Sequence, residues 1–318
     1  MPWKAVKMSN PSSCPEPRLR RPAISAFPKC YIDDISVRKT MRLEEWIDMS
    51  VALQAEGLEM YSRFLESFDP DYLGRIRRRV ESLGMVIPMF CCSPDLCHPD
   101  DEVRRREIGQ QKEHMRAAAE LGCSTCRVLS GQRNPELTVE RGVQRVVSAI
   151  REELLPLAHE LGITLAMENH YKDGYWQYPE FAQKKEVFVT IVRAIEDQRF
   201  GVQYDPSNAI VAGDDPIGLL LEIKDRVVSM HASDRFLLPG HSLAELAAAE
   251  GNLGYSPILR HGEVGQGLND YERIFAILKE INYCGWISIE DGENGMEEMA
   301  RSIGFLQDLR ERYFPAVA

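Results

Sequence analysis

Four apolar runs in this chain each finish on a side chain able to ligate a metal. Thr164-Leu-Ala-Met ends at Glu168, with Asn169 and His170 directly behind. Phe200-Gly-Val-Gln-Tyr ends at Asp205, Val227-Val-Ser-Met at His231, and Trp286-Ile-Ser-Ile at Glu290. Any one of these residues alone fits an exposed strand end or a helix cap, but the same register on four successive runs argues for a single site. Gathered together, the three carboxylates would repel one another. Two carboxylates about 4 Å apart at an effective dielectric near 20 cost roughly 4 kcal/mol, a large fraction of a domain stability of about 5 to 15 kcal/mol. A bound divalent cation removes that conflict. A set with many oxygens and one nitrogen favours Mn²⁺, with Mg²⁺ or Co²⁺ as alternatives, over zinc, which prefers more His and Cys ligands.

The elements that must position these residues alternate regularly. Strand-like runs at 23–27, 57–61, 85–90, 125–129, 164–170, 200–205, 227–231 and 285–290 alternate with helical periodicity at 42–56, 71–83, 101–121, 138–161, 179–197, 216–223, 270–281 and 295–313. The rhythm breaks only at about 234–269, where eight glycines and prolines interrupt and only 242–250 reads as a short helix. Eight strand and helix pairs joined by right-handed crossovers close into an α/β fold, the (β/α)₈ TIM barrel, here with a long insertion between strand 7 and helix 7. An open doubly wound sheet would place a glycine-rich phosphate loop after strand 1, and Phe27-Pro28-Lys29 has none. Residues 1–21 lack periodicity and read as a flexible N-terminal extension, leaving 22–318 as one catalytic domain. In a barrel the chemistry belongs at the carboxyl ends of strands, which is where the four residues fall.

The formal charge of −11 argues against a nucleic-acid partner or an anionic membrane surface. No apolar run has transmembrane length, and the first residues lack a signal-peptide core, so a cytoplasmic location is expected. The eight cysteines show no disulfide-framework spacing, and Cys123 and Cys126 have no second pair with which to build a zinc site.

The motifs Met167-Glu168-Asn169, Tyr204-Asp205-Pro-Ser-Asn208, Met230-His231-Ala-Ser-Asp234, Gly265-Gln-Gly267 with Asp270, and Ser288-Ile-Glu290 resemble those of the xylose-isomerase-like barrels. The likeness is greatest to the sugar isomerase and epimerase branch that includes tagatose 3-epimerase, and it covers nearly the whole chain after Ala23. It implies that Glu168, Asp205, His231 and Glu290 hold one divalent ion, with Glu168 and Glu290 carrying protons on opposite faces of a sugar. It also places Asn208 at the substrate, where those epimerases commonly carry a histidine. A second likeness, to the larger subunit of bacterial C-glycoside deglycosidases, rests on Glu168-Asn-His-Tyr-Lys-Asp-Gly-Tyr-Trp176 and His231-Ala-Ser-Asp-Arg235. It implies His170 as general base, a 3-oxo-glycoside substrate and a small partner subunit. The isomerase reading implies a homo-oligomer. Both chemistries begin by removing a proton beside a sugar carbonyl, leaving an enediolate whose charge a cation can spread. Abasic-site endonucleases share this barrel but need many histidine ligands, and this chain has only seven histidines.

The remaining candidates are substrate contacts. Tyr171 and Trp176 offer stacking surfaces, Arg235 and Glu263 reach from the insertion, and Glu59 closes strand 2. Each also makes sense as a loop-ordering or core contact.

Overall fold

The computed structural model describes residues 21–248, 257–290 and 293–316. In chain order the strands are β1 (Ala23–Ala26), β2 (Gly57–Leu58), β3 (Met60–Tyr61), β4 (Met89–Cys91), β5 (Thr125–Val128), β6 (Thr164–Glu168), β7 (Phe200–Tyr204), β8 (Val227–Ala232), β9 (Asp234–Leu237), β10 (Leu259–Gly262) and β11 (Trp286–Ile289). All but β9 and β10 lie in one sheet, in the order β2-β1-β11-β8-β7-β6-β5-β4-β3, and its pairings are parallel. β2 and β3 are two halves of one barrel strand separated by Glu59. One half pairs with β1 and the other with β4, so the ring closes through them. Merging that pair leaves eight barrel strands, and the fold is a (β/α)₈ TIM barrel.

Alternation along the strands fixes what points inward. On β6 the residues Thr164, Ala166 and Glu168 share a face; on β8 Ser229 and His231 do so, and Ser288 precedes Glu290 by two. Small residues therefore sit one layer below the large polar ones. Ser25, Ser288 and His231 stand side by side in register across β1, β11 and β8. On the outer face Leu165, Met167, Val202, Met230 and Ile287 are fully buried beneath the helices. The helix Met296–Tyr313 buries Met299, Ile303, Leu306 and Leu309, the stripe its periodicity gives. Six helices begin on a side chain that accepts from the first-turn N–H groups, namely Asp69, Asp100, Thr138, Asp205, Asp215 and Asp270, each worth about 1 kcal/mol.

Departures from the expected boundaries have local causes. The helix expected over 42–56 runs only Leu43–Met49, then tightens into a turn at Ser50–Leu53 that Gln54 ends at φ 55°. Val86 pairs with Gly57 as an isolated parallel bridge, the ladder breaks at Pro88, which has no N–H to give, and the continuous strand begins at Met89 rather than 85. The 138–161 helix widens over Ala149–Leu154 before Pro156, whose ring and missing N–H prevent the ordinary ladder there. The helix expected from 179 begins at Lys185, since the residues before it turn back to bridge Glu180 with Gln132. The insertion holds an antiparallel hairpin of β9 with β10, pairing Asp234 with Gly262 and Leu237 with Leu259, where only loop was expected. Its short helix spans Leu243–Ala248; the last two residues of the expected 242–250 lie outside the described residues, as does the proposed N-terminal extension apart from Arg21. Among the described residues no helix is long and apolar enough to cross a membrane.

Candidate active site

Glu168, Asp205, His231 and Glu290 converge at the carboxyl end of the barrel. Each is at most 7% exposed, and each offers a ligand atom within 4.8 Å of the others. Their strands explain the convergence: β6, β7, β8 and β11 are successive neighbours in the ring, and each ligand is the last or next-to-last residue of its strand or the one just past it. His231 Nδ1 stands 3.2 Å from Glu168 Oε1 and 3.3 Å from Glu290 Oε2. The other ring nitrogen, Nε2, faces Glu59 Oε2 at 2.8 Å. A carboxylate on the far nitrogen fixes the tautomer of a metal-binding imidazole and raises its basicity.

Each carboxylate is held by a dedicated neighbour. Arg127 Nη1 donates to Glu168 Oε2 at 2.7 Å, and Arg127 is itself fixed by Cys92 O and Ser93 Oγ. Asn208 Nδ2 donates to Glu168 Oε1 at 3.2 Å. Ser233 Oγ and the Asn208 N–H both donate to Asp205 Oδ1, while Asn169 bonds the Asp205 backbone in both directions. Lys29 Nζ lies 3.4 Å from Glu290 Oε1.

The protonation pattern follows from these partners. Burial alone would raise Glu168, but Arg127 and then His231 outweigh it and hold the carboxyl at about 2. Burial likewise opposes ionisation of Glu290, yet Lys29 and His231 keep it well below the usual carboxylate range. Burial, then Glu290 and Glu168, push Asp205 up to about 7 against the opposing pull of His231 and the Ser233 hydroxyl. Burial works against the His231 imidazolium, while Glu59, Glu290 and Glu168 raise it well above the normal histidine range. Protons on Asp205 and His231 thus offset charge that a cation would otherwise balance. Asp205 Oδ2 is buried with no hydrogen-bond partner, a lone pair facing the cluster and satisfied by nothing in the protein. The four residues fit a divalent metal on both counts. A second trio, Glu59, Cys91 and His231, also lies within 4.8 Å; there burial and then Glu59 push the Cys91 thiol up to about 12.

Above the cluster opens a cavity of about 1120 Å³ to which Glu290, Arg127, Lys29, His170, Tyr171 and Arg235 contribute. His170 and Tyr171 stack at 5.0 Å between ring centroids. The Arg235 guanidinium lies 5.0 Å from the Tyr171 ring, and its buried Nε has no hydrogen-bond partner.

Four of the expected substrate contacts do not line that cavity. Glu59 is fully buried behind His231, because it sits in the gap between β2 and β3 with its side chain turned inward. Asn208 lies in the buried helix Pro206–Val211 and holds Glu168. Glu263 pairs outward with Arg301 at 2.7 Å. Trp176 sets its edge on His170 and lines a neighbouring pocket of about 470 Å³. Sequence reasoning missed Arg127. Its signal was a charged residue inside Thr125-Cys-Arg-Val128, a strand whose four residues are all buried and where an unpaired charge would be costly.

A parallel eight-stranded barrel with acids and an imidazole gathered at its strand ends is the architecture of TIM-barrel enzymes. The chain belongs to the xylose isomerase-like TIM barrel family, whose model matches residues 47–309. It is 28% identical over 169 residues to an inosose dehydratase of Geobacillus kaustophilus (strain HTA426), a match covering 50% of each chain, so the chain spans about half the length of that relative. Three solved structures share the fold. A D-tagatose 3-epimerase-like protein superposes with a TM-score of 0.69 at 18% identity, over 93% of this chain and all of the other. The 3-keto-D-glucoside 4-epimerase of E. coli gives 0.66 at 15%, over 91% and 100%. The IOLI protein, solved with a zinc atom bound, gives 0.69 at 16%, over 92% and 99%.

Proposed function

We propose that the chain is a divalent-metal-dependent sugar isomerase or epimerase that removes a proton beside a sugar carbonyl and returns it elsewhere. One observation carries this: four ligand atoms within 4.8 Å, with Asp205 Oδ2 buried and unpartnered among them. Glu168, Asp205, His231 and Glu290 would hold the ion, for which the oxygen-rich set favours Mn²⁺. Bound there, a divalent cation supplies Lewis-acid stabilisation of the charge that develops on adjoining substrate oxygens. Glu290 is the one of the four ligands that lines the cavity, which fits it to move a proton. Glu168 is clamped by Arg127 and Asn208, and the two carboxylates serve opposite faces of the sugar. Arg235 and the Tyr171 ring contact the substrate from the insertion side.

Elimination from a 3-oxo-glycoside is the second reading, and the cavity favours it. Its volume of about 1120 Å³ stands at the upper end of the roughly 300 to 1,000 Å³ of ordinary ligand pockets, with room for a glycoside that keeps its aglycone. In that reaction His170 would take the proton and a small partner subunit would be required; in the first the chain would act as a homo-oligomer. Both place the protein in the cytoplasm, with no nucleic-acid or membrane partner.

Incubating the isolated protein with Mn²⁺, free ketoses and 3-oxo-glycosides in deuterated water separates the two. Turnover of a ketose with deuterium uptake supports the isomerase, and Glu290→Gln is expected to slow that exchange about 10²- to 10⁴-fold. Aglycone release from an oxidised glycoside with every ketose inert reverses the choice. Unimpaired exchange in Glu290→Gln with normal metal content removes Glu290 from the proton-moving role.

A further inference from the structure

Two buried polar atoms at the cavity wall face each other with no other partner. His170 Nδ1 and Glu180 Oε2 lie 3.6 Å apart, and neither makes a hydrogen bond. Their surroundings hold them in that relation. Glu180 is wholly buried, its N–H donates to Tyr171 O at 2.9 Å, and the next residue, Phe181, donates to Gly131 O. Its other carboxylate oxygen, Oε1, accepts from the Ser130 N–H at 2.7 Å and from the Ser130 hydroxyl. The imidazole is sandwiched by Tyr171 stacked on its face and Trp176 on its edge. This packing also explains why the segment before Lys185 abandons the helix expected there.

We propose that Glu180 is a positioning residue for His170. It accepts the Nδ1–H of the neutral ring and leaves Nε2 bare toward the cavity, which makes His170 a proton acceptor for the substrate. The inference rests on the second reading above, in which His170 takes the proton, and deepens it by naming what sets that base. Satisfying two buried orphan atoms with one hydrogen bond relieves the desolvation cost that each carries unpaired, and closing from 3.6 Å to a hydrogen bond of about 2.7 to 3.2 Å is the tightening expected of catalytic hydrogen bonds that are long in the free protein. The proton balance is simple. The substrate C–H bond breaks, its electrons remain on the carbon beside the carbonyl, and its proton goes to His170 Nε2. The ring then carries one positive charge next to the Glu180 carboxylate.

The substitution Glu180→Gln makes a sharp test because of Ser130. The buried Ser130 N–H must keep an acceptor, so the glutamine oxygen takes that place and its amide NH₂ turns toward His170. That donor forces Nδ1 to accept and moves the ring proton to Nε2, the wrong tautomer for a base facing the cavity. Loss of the correct tautomer in this way costs up to about 10⁴ in rate while leaving the geometry intact.

The experiment is nitrogen-15 NMR of histidine-labelled full-length protein loaded with diamagnetic Mg²⁺, with the His170 signals identified by their loss in His170→Ala. Wild-type protein is expected to show the Nδ1–H tautomer at His170 and Glu180→Gln the Nε2–H tautomer, with kcat falling about 10²- to 10⁴-fold and KM near its wild-type value. Glu180→Asp, which withdraws the acid by one methylene, should keep the Nδ1–H tautomer and part of the rate. A wild-type His170 in the Nε2–H form overturns the proposal outright, whatever the variants do. So does a folded Glu180→Gln that keeps the Nδ1–H form or full kcat. The tautomer is read without substrate, so failure of the proposed reaction shows in the activity assay and failure of the Glu180 assignment in the spectrum.

Discussion

The two halves of the barrel contribute to the site in different ways. The later strands β6, β7, β8 and β11 deliver the four ligands, each at a strand end and each announced by an apolar run that finishes on a metal-competent residue. The earlier strands β1 to β5 deliver no ligand to that four-residue cluster. They supply the groups that hold it: Lys29 after β1 beside Glu290, Glu59 between β2 and β3 behind His231, and Arg127 in β5 against Glu168. One half therefore offers atoms to an ion, and the other places charged groups around them, while Asn208, Ser233 and Asn169 of the later half add neutral hydrogen bonds. Sites of this kind fail when the supporting groups are loose, so the division can be tested by removing supports and ligands separately.

The largest effect among the supports should come from Arg127→Met. It leaves Glu168 Oε2 buried without its guanidinium in the metal-free protein, a loss of up to about 3 to 5 kcal/mol for breaking a buried pair. Urea unfolding of metal-free protein measures it. Added Mn²⁺ should recover much of the loss, because an ion on Glu168 replaces the missing cation. Equal destabilisation with and without metal would mean that Arg127 serves packing alone.

Glu59→Gln should have a smaller and more specific effect. It keeps the volume but not the charge behind His231, and removing such a partner typically lowers metal affinity about 10- to 100-fold. Competition titration against a chelator gives the affinity. An unchanged value would detach the first half of the barrel from the metal and leave Glu59 as a core residue.

The smallest effect belongs to Glu263→Ala. Its pair with Arg301 is exposed on the arginine side, and pairs of this kind contribute about 0 to 1 kcal/mol. Melting temperature and Mn²⁺ affinity should both stay near wild type. A large loss of activity there would restore Glu263 to the substrate contacts.

How legible the molecule is in its sequence follows the same division. A strand end that breaks an apolar run can be read locally, which is why the ring of strands and the positions of Glu168, Asp205, His231 and Glu290 are visible in one dimension. The supports are not, because their meaning lies in partners 41 residues away for Arg127 and 172 for Glu59. Glu180 reads as an ordinary helix-start acid until the chain is seen to fold back on Ser130. The β9 and β10 hairpin escaped because its glycines and prolines mask strand alternation, and its Asp234 collects the N–H groups of Gly265, Gly267 and Asn269 across the whole insertion. The helix at Pro206 was available locally, since Asp205 followed by Pro is a strong helix start. That signal went unread because Asp205 was read only as a ligand, whereas its Oδ1 also caps the helix and leaves Oδ2 unpartnered in the cluster.

The central claim is that this cluster holds one divalent cation. It is tested most directly by the metal content of purified protein after incubation with Mn²⁺ and removal of the excess, measured beside Glu168→Gln and Asp205→Asn. About one equivalent in the wild type, and loss of it in both folded variants, is the expected result. Wild-type protein that retains no stoichiometric metal, or variants that retain it in full, would contradict the account.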